Sequence, residues 1–283
     1  MSRRPRQQLL RQPTVLAAVA LLVATLVLAL GAGAARATLP RGDTVDSDPA
    51  PTWGWEQVFF DGFDGPAGVW PEQWHAMLGS NGAAQNGLGQ LDVGHLAQIR
   101  TNAGWTLPAG TQVRVTASLL MPDTSSNYAA FWVQHPNGTD PREIDVIESY
   151  GPLKPTGAQL GSHICYDEMV GTDSEACELS GLPPELWPVT QSFPVGALPW
   201  EASWAYSADF TIGGDTVLYS ATDGGGIRTY DVASTPDPRR VPGNVAPFHL
   251  RLSNKDVAPQ YALPGGTRHS MLVDWVLVEV RYP

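Results

Sequence analysis

Residues 143–148 of this 283-residue chain read Glu143-Ile144-Asp145-Val146-Ile147-Glu148, three carboxylates separated only by β-branched aliphatics. Val and Ile at the intervening positions favour an extended, half-buried strand, so side chains should alternate between a core face and an open face. Glu143 and Asp145 then share the open face. Strict alternation would turn Glu148 to the core side, where a lone carboxylate is costly. One extra residue bulged out around Val146-Ile147 returns Glu148 to the face of the other two.

Two carboxyl groups on one face suit a retaining glycosidase, in which one attacks the anomeric carbon and the other, roughly 5–5.5 Å away, protonates the leaving oxygen. Four or five strand residues separate the two backbones by about 13–16 Å at ~3.3 Å per residue, so the side chains must lean together across a concave sheet. Asp145 between them is placed to hydrogen-bond Glu143 and hold it. A solvated strand face would also carry carboxylates outward. Three like charges with no Lys or Arg interleaved repel one another, however, and a purely structural strand has no need of that cost.

The elements that must present these residues are strands. Short apolar or alternating runs recur at Gln57–Phe60, Leu96–Ile99, Gln112–Leu120, Tyr128–Gln134, Glu143–Ser149, Ser203–Ile212, Thr216–Ser220, Phe248–Leu252 and Met271–Arg281. They are punctuated by 29 Gly and 25 Pro, the pattern of strands joined by turns, with no internal repeat and no sustained helical period. A two-sheet antiparallel sandwich is expected. Ahead of it, Arg3, Arg4, Arg6 and Arg11 precede an apolar run from Val15 to about Leu30 and a small-residue tail ending Ala35-Arg36-Ala37. That is the layout of a signal peptide, expected over residues 1–37 with cleavage after Ala37, or of an uncleaved membrane anchor; either puts the rest of the chain outside. Residues 38–52 have the composition of a disordered linker, and residues 53–283 the length of one all-β domain.

Glu143–Glu148 is preceded by Ala129-Ala130-Phe131-Trp132 and followed by Ser149-Tyr150-Gly151, and the chain closes on Met271-Leu272-Val273-Asp274-Trp275-Val276-Leu277-Val278. Together these resemble glycoside hydrolase family 16, laminarinase- and lichenase-like, as a bacterial exported member, over roughly residues 53–283. The resemblance implies a concanavalin A-like β-jelly roll with the substrate cleft across its concave sheet. It implies Glu143 as nucleophile, Asp145 as its assisting residue and Glu148 as general acid/base, with no cofactor and no catalytic metal, a structural calcium being compatible with the family. It also marks departures. Thr116 and Ser118 stand where many relatives carry a Glu and an Arg that contact sugar hydroxyls, and Ser253-Asn254-Lys255-Asp256-Val257 replaces a common Gly-Gly-Asn-Trp segment.

Trp132 is expected on the cleft face, since Phe131 and Val133 alternate to the core, and Tyr128 shares its face. His163 falls where the family often has a cleft histidine. Trp187, Trp200 and Trp204 would line a rim or pack a loop. Cys165 and Cys177 are expected to form a disulfide in an oxidising compartment rather than remain as free thiols. A net charge of −11 disfavours nucleic acid, anionic membranes and heavily sulfated polysaccharides, leaving neutral glycans as the better fit. The expected activity is endo-acting retaining hydrolysis of a β-linked polysaccharide, β-1,3- or mixed-linkage glucan first, by a secreted or membrane-anchored monomer. A transglycosylase using the same residues and a non-catalytic glycan-binding module are the alternatives.

Overall fold

The computed structural model describes residues 54–77, 82–122, 127–135, 142–149, 160–166, 200–222, 228–234, 236, 238, 241–256 and 269–283, with backbone alone at 160, 161, 163–166 and 228–232. All belong to the compact unit Asp48–Pro283. The proposed leader over 1–37 and linker over 38–52 lie outside them. Among the described residues no helix is long and apolar enough to cross a membrane.

Fourteen strands are described: β1 (Glu56–Asp61), β2 (Trp74–Ala76), β3 (Ala83–Gln85), β4 (Leu91–Val93), β5 (Ala97–Thr101), β6 (Gln112–Leu120), β7 (Asn127–Gln134), β8 (Arg142–Ser149), β9 (Leu160–Tyr166), β10 (Trp204–Thr211), β11 (Val217–Thr222), β12 (Arg228–Ala233), β13 (His249–Asp256) and β14 (Met271–Arg281). They form two antiparallel sheets, the expected jelly-roll sandwich. One runs β12-β11-β10-β6-β14-β4-β3, with β1 pairing the C-terminal half of β14; the other runs β2-β5-β13-β7-β8-β9.

Period-two alternation explains the layering. Val113, Val115, Ala117 and Leu119 of β6 and Val276, Val278 and Val280 of β14 point inward. They meet Phe131 and Val133 of β7, Ile144, Val146 and Ile147 of β8 and Leu250 and Leu252 of β13 in one buried apolar cluster. Each fully buried aliphatic contributes about 1.5–3 kcal/mol, so registers that would turn these faces outward are strongly disfavoured. Trp204, expected at a rim or under a loop, is instead fully buried on β10 and stacked on Tyr206 at 6.5 Å between ring centroids.

The outward face of the eight-stranded sheet carries a group of polar side chains that satisfy one another. Arg114 makes a bidentate pair with Asp209, at 2.8 and 2.6 Å. Thr116 Oγ1 is 2.8 Å from Ser207 Oγ, and Ser118 donates to Asp274 at 2.7 Å. Thr116 and Ser118 therefore sit on the sheet that does not carry the carboxylates. Their departure from the family pattern does not alter the face that carries the carboxylates, because β6 belongs to the other layer of the sandwich.

Candidate active site

Strand β8 is flanked by β7 and β9, and its ladders show how three carboxylates come to share a face. On the β7 side Glu143 lies opposite Gln134, Asp145 opposite Trp132, Ile147 opposite Phe131 and Glu148 opposite Ala130. Val146 is the extra residue. On the β9 side Asp145 pairs with His163 and Glu148 with Gly161, again with one residue too many on β8. Val146 and Ile147 both bury in the core cluster, and the alternation restarts so that Glu148 rejoins Glu143 and Asp145 on the open face of the six-stranded sheet. The bulge inferred from the hexapeptide is present, and Ser162 Oγ donates to the Val146 carbonyl at 2.7 Å. A carbonyl displaced from the ladder is thereby satisfied rather than left buried and unpaired.

The same registers yield a prediction. Without Val146, the ladders to β7 and β9 close with equal residue counts on both strands, and Glu148 still alternates onto the open face. Deleting Val146 is expected to cost about 1.5–3 kcal/mol for the lost buried valine, with Glu148 remaining on the face of Glu143. Urea denaturation and a crystal structure of the deletion check this; Glu148 turned into the core would refute the register.

Around the carboxylates the open face is polar and closely packed. Gln134 Nε2 donates to Glu143 Oε2 at 2.6 Å, holding the half-buried Glu143 from the neighbouring strand. The Tyr128 hydroxyl donates to Glu148 Oε1. Asp145 and Glu148 are buried at 2% and 5% exposure, so both sit in surroundings where electrostatic interactions are stronger than in water. Asp145 lies on the backbone between the two glutamates, as the sequence places it.

Trp132 shares the face of Asp145, as alternation requires, but it is not an open stacking platform. It is 8% exposed, its Nε1 has no hydrogen-bond partner among the described residues, and the Arg251 guanidinium lies over its ring at 4.6 Å. Arg251 reached this position through the pairing of β13 with β7, which sets it opposite Trp132. His163 is brought opposite Asp145 on β9 through its backbone; its side chain, that of Cys165, and all of Cys177 and Trp187 lie outside the described residues. Among the described residues no group of three or more His, Cys, Asp or Glu is placed to hold a metal ion.

Two groups escaped the sequence reading. Gln134 could have been found, since it shares the parity of Tyr128 and Trp132 on one strand. Arg251 could not, because its place depends on a long-range pairing. His249, beside it on β13 and facing Gln134 across the ladder, is 8% exposed and hydrogen-bonds the Thr101 carbonyl through Nδ1 at 3.0 Å. Burial holds its imidazole below the usual 6.5. Arg100 and Arg251 add to the lowering, against the raising effect of the carbonyl bond. The unfolded chain therefore binds this proton more readily, and the fold is expected to lose stability as pH falls through 6.5 and to keep it above. His249→Gln should flatten this part of the profile in urea titrations on either side of that pH.

No protein-family model matches the sequence, and no curated protein matches it significantly. Solved structures do match the fold. The laminarinase from Rhodothermus marinus is 18% identical, with a TM-score of 0.54 over 80% of this chain and 97% of that one. The endo-β-1,3-glucanase from Pyrococcus furiosus is 15% identical, with a TM-score of 0.53 over 80% and 94%. An immunostimulatory antigen and pseudo β-1,3-glucanase of Mycobacterium tuberculosis is 20% identical, with a TM-score of 0.50 over 78% and 98%. At these identities the likeness is one of architecture, and it shows that this chain shares the fold of those proteins over nearly their whole length.

Proposed function

We propose that the protein is an endo-acting retaining glycoside hydrolase of the family 16 type that cuts a β-linked polysaccharide outside the cell. The observation that carries this reading is the Val146 bulge, which sets Glu143, Asp145 and Glu148 on one open sheet face. The solved glucanases with the same architecture support it, and the arginine-led apolar N-terminus supports export.

In this reading the Glu143 carboxylate, aligned by Gln134, attacks the anomeric carbon. The glycosidic C–O bond breaks, and the Glu148 proton passes to the departing oxygen. A glycosyl ester on Glu143 results. Water then attacks the anomeric carbon, Glu148 takes its proton, and the C–O bond to Glu143 breaks to release the sugar with its configuration retained. Tyr128 positions Glu148 through its hydroxyl, and Asp145 positions Glu143.

The test is a mass-spectrometric product profile against laminarin, mixed-linkage glucan, agarose and carrageenan. Short oligosaccharides of retained configuration from one polymer, absent with Glu143→Gln, support the proposal. Products longer than the substrate identify a transglycosylase, and affinity without turnover on any polymer identifies a binding protein.

A further inference from the structure

The row of side chains that crosses the open face through Asp145 does not end at Trp132. Across the ladders Trp132 faces Arg251, Arg251 faces Arg100, and Arg100 faces His75. Two arginines thus stand directly opposite each other on neighbouring strands, with a histidine beyond, on the same face as the carboxylates. Like charges so placed destabilise a sheet. Nothing in the core requires them there, since β5 buries Ala97 and Ile99 on its other side.

Arg251 is accounted for internally. It lies over Trp132, donates to the His135 carbonyl at 3.3 Å and is attracted by Glu143. Burial lowers it to about 10, which leaves it charged at neutral pH. Arg100 is not so accounted for. It is only partly buried, and among the described residues its side chain makes no ion pair and no hydrogen bond. It adds an unfavourable charge to both Arg251 and His249. A chain of net charge −11 thus concentrates positive charge beside its candidate catalytic residues. At about 4.8 Å per strand, Arg251 and Arg100 lie about 10 and 14 Å from the Asp145 backbone, beside the sugars flanking the scissile bond rather than at the bond itself.

We infer that this half of the open face is a subsite for a polysaccharide bearing a compact oxyanion, carboxylate or sulfate, on a sugar flanking the cleavage point, with Arg100 as the contacting residue and Arg251 behind it. Overall charge points to a neutral glycan, but a substituent held against two guanidiniums responds to the local field, and it would relieve their mutual repulsion. Arginine suits the task because its planar fork can donate two parallel hydrogen bonds to an oxyanion. The inference rests on the proposed polysaccharide substrate and narrows its class.

The test uses backbone-matched probes: laminarin, carboxymethylated laminarin and sulfated laminarin, titrated against the full-length Glu148→Gln protein so that binding is read with turnover suppressed. Either anionic polymer should bind about 10- to 100-fold more tightly than laminarin, the range for hydrogen bonds to charged groups. The preference should shrink as salt is raised and disappear in Glu148→Gln/Arg100→Gln, and the tighter of the two probes names the substituent. Arg100→Gln alone should melt no lower than the parent, because it removes a repulsion; a lower melting temperature would mark Arg100 as structural and overturn the inference. Equal binding of the three polymers, or a preference that survives Arg100→Gln, also overturns it. Cleavage that requires Glu143 without any Arg100-dependent preference keeps the hydrolase and removes the oxyanion subsite. Arg100-dependent binding without cleavage does the reverse.

Discussion

Glu143→Gln is expected to lower hydrolysis of the polysaccharide by roughly 10⁴–10⁶-fold, the range seen when one member of a covalent catalytic group is removed. The side chain is half-buried on the open face and outside the apolar core. The amide is isosteric, and its oxygen can still accept the hydrogen bond from Gln134 Nε2 that Glu143 receives at 2.6 Å. The fold should therefore be kept, with only the attraction to Arg251 weakened, while the negative charge that attacks carbon is lost. The loss should extend to aryl glycosides with good leaving groups, because no such group replaces a missing nucleophile. A cooperative melting transition with turnover lost on both substrate types would assign Glu143 as nucleophile. Turnover retained on either would reassign it.

Glu148→Gln should behave differently. General acid catalysis contributes about 10²–10⁴-fold when the leaving group must be protonated, so polysaccharide cleavage should fall by that amount. An aryl glycoside whose phenolate leaves unaided should still transfer its sugar to Glu143. Water then lacks its general base, and the glycosyl-enzyme should accumulate as a burst followed by a mass increase on intact protein. Tyr128 keeps a partner in this variant, since its hydroxyl can donate to the amide oxygen as it does to Glu148 Oε1. Equal losses on the two substrate types would mean that Glu148 is not the proton donor. The contrast between the two variants separates nucleophile from acid without any structure of a complex.

The residues of the candidate site were legible where they lie close together in the chain. The hexapeptide carries its own strand signal, and the conflict between alternation and a buried Glu148 is enough to infer the Val146 bulge, which both ladders contain. The bounds of β6 and β14 coincide with their apolar runs because long strands offer many repeats of the period. Strands β2, β3 and β4 have three residues each, too few to display alternation against neighbouring turns. Arg228–Ala233 of β12 offers only Tyr230 and Val232 at alternate positions, too short a stripe to stand out. What the sequence hid most completely is the company that the carboxylates keep. Arg251 and Arg100 join the row of Asp145 only through pairings between distant strands, and no local pattern reports which strands become neighbours.

Among the described residues, strand β9 is the outermost of its sheet, with β8 directly inside it. The strand that bears all three carboxylates is thus one layer from an edge, and its register on that side depends on a single neighbour tied to the bulge by Ser162. If β9 peels away, β8 loses half its ladder and exposes unpaired backbone groups next to Ile144, Val146 and Ile147, the combination that invites another chain to add as a strand. Inactivation and self-association would then begin from one local opening, well before the sandwich as a whole comes apart.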